Sequence, residues 1–309
     1  MALASLETFK PLVTRPDDFD AFWDETLALA GQIPLNASAV RLPLRSTPEV
    51  DVFDVRYDSL DGVRIAGWYC LPIERAGRLP GMLHVPGYIS DPGIPKESAK
   101  KGYAAFFAAP RGKVRSRDQY NPGYPGLLTH NIVDRNSYGY RGFFIDAARA
   151  FQFLLSRGEV DSSRIGVQGS SQGGALALVV AGLCPEVRAA SSGVPYLCDY
   201  LSAISLTHTY PYHEIRDYLN RYPEREGAVR DTLAYFDGVN FGPRITCPII
   251  VNVGLQDNVC PPETGYAAFQ AVASADKTFY PYDGHGHDGG SVIHNAVIEA
   301  FFEKHLKNS

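Results

Sequence analysis

A chain of 309 residues, 45% hydrophobic and 20% charged, has the composition of a globular protein able to bury a sizeable core. Its net charge of -5 argues against a nucleic-acid or anionic-membrane partner. No apolar run approaches the roughly 20 residues needed to span a bilayer. Residues 1–10 lack the basic start and sustained apolar stretch of a secretory signal, so a cytoplasmic protein is expected. The cysteines, Cys70, Cys184, Cys198, Cys247 and Cys260, are odd in number, widely spaced and without a C-x-x-C pair. That pattern fits free thiols in a reducing compartment better than disulfides or a zinc site. The 18 Tyr and 16 Phe would suit a site for sugars or aromatic acyl groups, although core packing accounts for most of them.

In residues 17–30, Phe19, Phe22, Trp23, Thr26 and Leu27 recur at helical spacing, with Asp17 placed to cap. Segments 50–57 and 63–69 flank Asp61-Gly62 and predict an antiparallel hairpin. Apolar strands are expected at 81–85, ending at Pro86-Gly87-Tyr88, and at 103–109, ending at Pro110-Arg111-Gly112. A helical pattern over 142–156 leads to a β-branched strand at 164–168 and a small apolar helix at 174–181. Further strands are expected at 189–192, 248–253 and 277–280, then a terminal helix from about 293 to 306. Residues 199–242, rich in Tyr, His and charge, read as a helical insertion over the strand ends, where substrates bind in such sheets. Buried strands alternating with helices predict a mostly parallel sheet with helices on both faces. With the antiparallel N-terminal hairpin, this is the pattern of an α/β-hydrolase fold, in one domain spanning 1–309.

Gly169-Ser-Ser-Gln-Gly173 sits between the strand at 164–168 and the helix at 174–181, the context of a G-x-S-x-G nucleophile elbow. Such a turn holds its serine, here Ser171, at a strained angle between glycines. The helix N-terminus beneath it offers amides to a developing oxyanion. A serine hydroxyl needs a histidine base oriented by a carboxylate, and in this fold the chain order is Ser, acid, His. Asp257 follows the apolar strand at 248–253, whereas Glu263 and Asp276 do not follow it directly. Two histidines in the glycine-rich loop 283–290, His285 and His287, are candidates for the base. His84, His130, His208 and His213 precede the acid, and His294 and His305 belong to the terminal helix. Two histidines one residue apart also suggest a metal, but no Cys/His/Glu set completes a ligand shell. No metal or cofactor is therefore expected. The oxyanion donors are expected to be the backbone amides of Gln172, directly after the nucleophile, and Tyr88, after the strand at 81–85.

These residues resemble the acetyl xylan esterases and cephalosporin-C deacetylases of carbohydrate esterase family 7. Where that family carries R-G-Q, G-x-S-Q-G and H-E motifs, this chain has Arg111-Gly-Lys113, Gly169-Ser-Ser-Gln-Gly173 and His287-Asp288. Looser similarity runs through 19–27, 194–198, 235–241 and 253–262, while 84–140 matches poorly. The resemblance implies an α/β hydrolase that removes acetyl groups from small sugar esters as a cytoplasmic homo-oligomer. Its triad would be Ser171, Asp257 and a histidine, with Tyr88 and Gln172 as oxyanion donors. Lys113 departs from the family's Gln, and a charge there either alters the pocket or faces solvent. Alignment on Tyr280-Pro-Tyr282 selects His285. Alignment on His287-Asp-Gly-Gly290 and the helix beyond is longer and favours His287, leaving His285 as the alternative base. The competing expectations are a same-fold carboxylesterase for a larger acyl or non-sugar ester, and a non-catalytic ligand-binding descendant. A peptidase of the prolyl-oligopeptidase type would need a propeller, for which 309 residues leave no room.

Overall fold

Nine strands form one sheet in the computed structural model, which describes residues 6–308. Half of the N-terminal decapeptide discussed above, residues 1–5, lies outside the described residues. The strands are β1 (Ser38–Arg41), β2 (Val50–Asp58), β3 (Arg64–Pro72), β4 (Leu79–Val85), β5 (Ala104–Ala109), β6 (Val160–Ser170), β7 (Ala189–Gly193), β8 (Ile249–Gly254) and β9 (Lys277–Tyr282). Their spatial order is β1-β2-β3-β5-β4-β6-β7-β8-β9. The first three pairings are antiparallel, and every pairing from β5 to β9 is parallel. This is the expected mixed sheet of an α/β hydrolase.

The main helices are α1 (Phe19–Gly31), α2 (Gly139–Leu155), α3 (Gln172–Leu183), α4 (Tyr200–Leu206), α5 (Tyr212–Arg221), α6 (Glu226–Ala234), α7 (Pro262–Ala271) and α8 (Ser291–Phe302). Strand alternation explains why both faces are covered. In β4, Leu83 joins the main core with Phe143 and Leu176, whereas its neighbour Met82 packs with Phe302 and Leu306 on the other face. Every residue of α3 is buried. A helix apolar all round needs no outward polar face, and this one lies between the sheet and α2. Helices α4, α5 and α6 fall between β7 and β8, inside the stretch expected as an insertion.

Several boundaries differ from the sequence reading. Strand β1 was not foreseen, because four residues at the sheet edge, with Val40 60% exposed, carry no periodic burial signal. Asp17 does not cap α1. Asp18 holds the cap position without a capping bond, because its carboxylate instead pairs with Arg135 and accepts from the Tyr235 hydroxyl. The terminal helix ends at Phe302 and gives way to a π-turn at Glu303–Lys307. Among the described residues, no helix is long and apolar enough to cross a membrane.

Candidate active site

The sharp turn after β6 holds Ser171 at φ 62°, ψ -124°, a region that costs a non-glycine residue about 1–3 kcal/mol. A methyl group on Gly169 would lie 2.4 Å from the Gly173 carbonyl oxygen, and one on Gly173 would lie 2.4 Å from that of Val85. Close backbone approach therefore dictates both glycines of the elbow. The turn is pinned on each side. Ser171 donates its amide to the Gly193 carbonyl at 2.9 Å, and its own carbonyl accepts from the Tyr196 amide at 3.0 Å.

Asp257 and His287 converge on that serine from the loops after β8 and β9. His287 Nε2 lies 3.0 Å from Ser171 Oγ, and His287 Nδ1 lies 2.8 Å from Asp257 Oδ2. The other carboxylate oxygen, Oδ1, accepts from the amides of Val259 and Cys260 at 2.8 and 2.9 Å. The Asp257 side chain is fully buried, while that of His287 is 32% exposed toward the cleft. The two loops meet so closely that a methyl on Gly254 would stand 2.0 Å from the Gly286 carbonyl oxygen.

His285, the alternative base, does not reach the serine. Its Nδ1 pairs with Asp288 at 2.7 Å, and its carbonyl accepts the Gln256 amide at 2.9 Å. It fastens the histidine loop to the exit of β8. Of the other acids considered, Glu263 lies in the first turn of α7, and Asp276 stands beside His305 at 3.8 Å.

Gln172 opens α3, so the helix ladder does not consume its amide. Its buried side chain donates to the Tyr140 hydroxyl at 2.7 Å. Tyr88 is anchored at its far end, where its hydroxyl donates to Glu214 Oε2 at 2.7 Å. Burial first, and the Glu214 charge second, hold that phenol well above its usual pKa. The second carboxylate oxygen of Glu214 gathers the amides of Gly126 and Thr129. Among the described residues, no hydrogen bond uses the Tyr88 amide.

Residues 1–305 match the model of the acetyl xylan esterase (AXE1) family. The chain belongs to this family. It is 31% identical over 287 residues to acetyl esterase Axe7A of Xylanibacter ruminicola, a match covering 87% of this chain and 63% of that relative's length. Two solved structures are similar along nearly their whole lengths. The acetyl xylan esterase from Paenibacillus sp. R4 is 38% identical with a TM-score of 0.92, covering 99% of this chain and 100% of that one. Acetyl xylan esterase 1 from Thermoanaerobacterium sp. JW/SL YS485 is 28% identical with a TM-score of 0.90, covering 98% of each chain.

Three further side chains shape this acetyl xylan esterase family site, and of these only Lys113 is marked in the sequence, as a departure from the family's motif. Cys260 lies against Ser171, and its sulfur falls with the ligand atoms of Asp257 and His287 in a cluster within 4.8 Å. Burial, then the Asp257 charge, push its thiol pKa well up, so it is not a thiolate nucleophile. The Asp257 oxygens and both His287 nitrogens are already engaged by the hydrogen bonds above. Glu214 sits on the helical insertion, 126 positions from the Tyr88 it holds. Lys113 does not face solvent, since it is 2% exposed and donates to the carbonyls of Gly87 and Tyr88.

Ser171 and His287 open onto a cavity of about 500 Å³ walled by Tyr88, Tyr124, Tyr210, Pro211 and Val259. Aromatic rings of this kind can lie against the C–H faces of a sugar while their hydroxyls remain polar. A second cavity of about 540 Å³ reaches Ser171 from the α8 side and is lined by polar groups including Asn252, Ser191 and His294.

Proposed function

We propose that the protein is a serine esterase that removes acetyl groups from small acetylated sugars, xylo-oligosaccharides foremost, through an acyl-enzyme. The observation that carries this reading is the Ser171–His287–Asp257 relay, with contacts of 3.0 and 2.8 Å, in a chain of the acetyl xylan esterase family. Ser171 Oγ attacks the acetyl carbonyl while His287 takes its proton. Asp257 keeps Nδ1 protonated and stabilises the imidazolium. The amides of Gln172 and Tyr88 hold the oxyanion, a contribution of about 3 kcal/mol from each donor. The imidazolium then protonates the departing sugar oxygen. Water, activated by His287, attacks the acetyl-serine and releases acetate.

The same chemistry extends to the acetyl ester of cephalosporin C. The cavity exceeds what an acetyl group alone requires, which favours a second reading as a carboxylesterase for a larger acyl group or a non-sugar ester. The proposed oligomer is a homo-oligomer, and the exposed apolar side chains of Ile89, Tyr210, Val292 and Ile293 support it. Five unpaired cysteines support a reducing compartment, the cytoplasm.

The deciding experiment measures acetate release from acetylated xylo-oligosaccharides beside hydrolysis of 4-nitrophenyl acetate and butyrate, for wild type and Ser171→Ala. Release from both acetates that disappears in Ser171→Ala supports the reading. Activity on nitrophenyl esters alone removes the sugar assignment, and a preference for butyrate supports the larger-acyl reading. Light scattering that returns a monomer near 33.8 kDa would refute the oligomer.

A further inference from the structure

The ammonium of Lys113 is buried and, among the described residues, has no carboxylate in hydrogen-bonding contact. Its Nζ donates to the Gly87 carbonyl at 2.6 Å and to the Tyr88 carbonyl, with the Tyr124 ring 5.4 Å away. Among the described residues, Asp91 is the charged group whose field acts on it, and that carboxylate accepts the Val114 amide at 2.8 Å. The surrounding charges are otherwise committed. Glu214 is bound to Tyr88, Gly126 and Thr129, Arg111 to Asp146, and Arg115 to Asp54.

The Gly87 carbonyl and the Tyr88 N–H belong to one peptide unit. It is not among the cis bonds of the chain, and in a trans peptide these two groups point in opposite directions. A cation gripping the carbonyl turns the N–H away from Lys113. Gly87 and Tyr88 line the same cavity as Ser171 and His287. The cation also draws electron density through the amide and strengthens the N–H as a donor, as charge-assisted and chained hydrogen bonds do.

We propose that Lys113 is the positioning residue of the oxyanion hole: its ammonium grips the Gly87 and Tyr88 carbonyls and thereby aims and strengthens the Tyr88 N–H. This rests on the esterase reading above, in which that N–H meets the oxyanion formed at Ser171. The benefit grows as negative charge develops, so it belongs to kcat rather than KM. Burial lowers the Lys113 pKa to about 7, with Asp91 opposing that shift. As pH rises through that region the ammonium is lost. The rate is therefore expected to fall on the alkaline side as that charge disappears.

Wild type, Lys113→Gln and Lys113→Met are compared on 4-nitrophenyl acetate from pH 5.5 to 9.5. In parallel, the rate at which diethyl 4-nitrophenyl phosphate phosphorylates Ser171 is followed. In that step Ser171 Oγ bonds to phosphorus, 4-nitrophenolate leaves, His287 takes the proton, and charge develops on the phosphoryl oxygen. Gln keeps a donor without the charge, and Met keeps most of the volume with neither. At pH 6.5 Lys113→Gln is expected to lose kcat about tenfold and Lys113→Met about 100-fold, with KM changed less than about twofold. The alkaline fall should vanish in both, and phosphorylation should slow in the same order. Variants with kcat within twofold of wild type overturn the proposal, as do losses carried by KM or an alkaline fall that persists without Lys113. If wild type releases no acetate yet is phosphorylated with this Lys113 dependence, the substrate reading fails and the role of Lys113 stands. Equal phosphorylation of all three proteins overturns the role whatever the acetate assay gives.

Discussion

His287 and Ser171 face each other across 3.0 Å although 116 positions separate them in the chain. His285, two residues earlier, is turned to Asp288 instead. The loop that carries both after β9 is a run of turns rather than a strand, with Gly284 at φ 78° and Gly289 at φ 53°, so positions two apart do not share a face and the two rings diverge. His287→Ala is expected to lower kcat on 4-nitrophenyl acetate by about 10⁴-fold, as is Asp257→Asn through the wrong imidazole tautomer. His285→Ala should cost less than about tenfold, since it loosens the loop without touching the proton relay. Initial rates of the three variants decide the matter, and equal losses at the two histidines would refute the assignment of His287.

The strained angle at Ser171 also has a measurable cost. Alanine at 171 removes the hydroxyl but retains φ 62°, whereas glycine adopts that angle freely. Ser171→Gly should therefore be more stable than Ser171→Ala by about 1 kcal/mol, the reverse of the usual order, while both are inactive. Urea midpoints of the two variants provide the comparison. A less stable glycine variant would mean that the elbow is not strained.

Much of this site is legible in the chain because its parts are local. Gly169 and Gly173 announce the elbow, since backbone packing at 2.4 Å admits no other residue and leaves its mark in the sequence. Asp257 is readable because it stands just past a fully buried strand. The choice between His285 and His287 is less so, because it depends on which ring the loop turns inward, and glycine-rich segments leave that open. The positions of Cys260, Glu214 and Lys113 depend on contacts with Ser171, Tyr88 and Gly87, all distant in sequence, made by residue types that serve equally well elsewhere. Strand β1 escaped notice for a related reason: an exposed edge carries no buried face to imprint a period.

Arg111 and Lys113 stand two residues apart but do different work. Arg111 is 3% exposed and closes a fork on the fully buried Asp146, through Nε to Oδ2 at 2.8 Å and Nη2 to Oδ1 at 3.0 Å. Its Nη2 also reaches the Leu60 carbonyl at 2.8 Å, tying the turn between β2 and β3 to α2. Removing one partner leaves an uncompensated buried charge, so Arg111→Met should destabilise the fold by about 3–5 kcal/mol in urea titrations. The pair Arg111→Met with Asp146→Leu should recover part of that loss. A double variant as unstable as the sum of the singles would show that the two side chains act independently.

Acid should act on the fold through its buried neutral histidines, against an opposing contribution from Asp237, whose carboxyl pKa is pushed up to about 7 by burial. Burial depresses the pKa of both His84 and His294 to about 4 from 6.5. His294 is 2% exposed, with Nδ1 on the Tyr282 hydroxyl at 2.9 Å, and His84 shares Nε2 with Ser98 Oγ at 2.9 Å over the Phe107 ring. Each folded pKa lies below its unfolded value, so the neutral ring is the form the fold accepts. The stability this gives is fully present above pH 6.5 and is lost as pH falls toward 4. Urea midpoints should therefore drop steeply between pH 6.5 and 4.5 in wild type and less steeply in His294→Gln, which keeps a hydrogen bond to Tyr282 but cannot take up a proton. If the variant falls in parallel with wild type, His294 is not buried in its neutral form, and the acid sensitivity arises elsewhere.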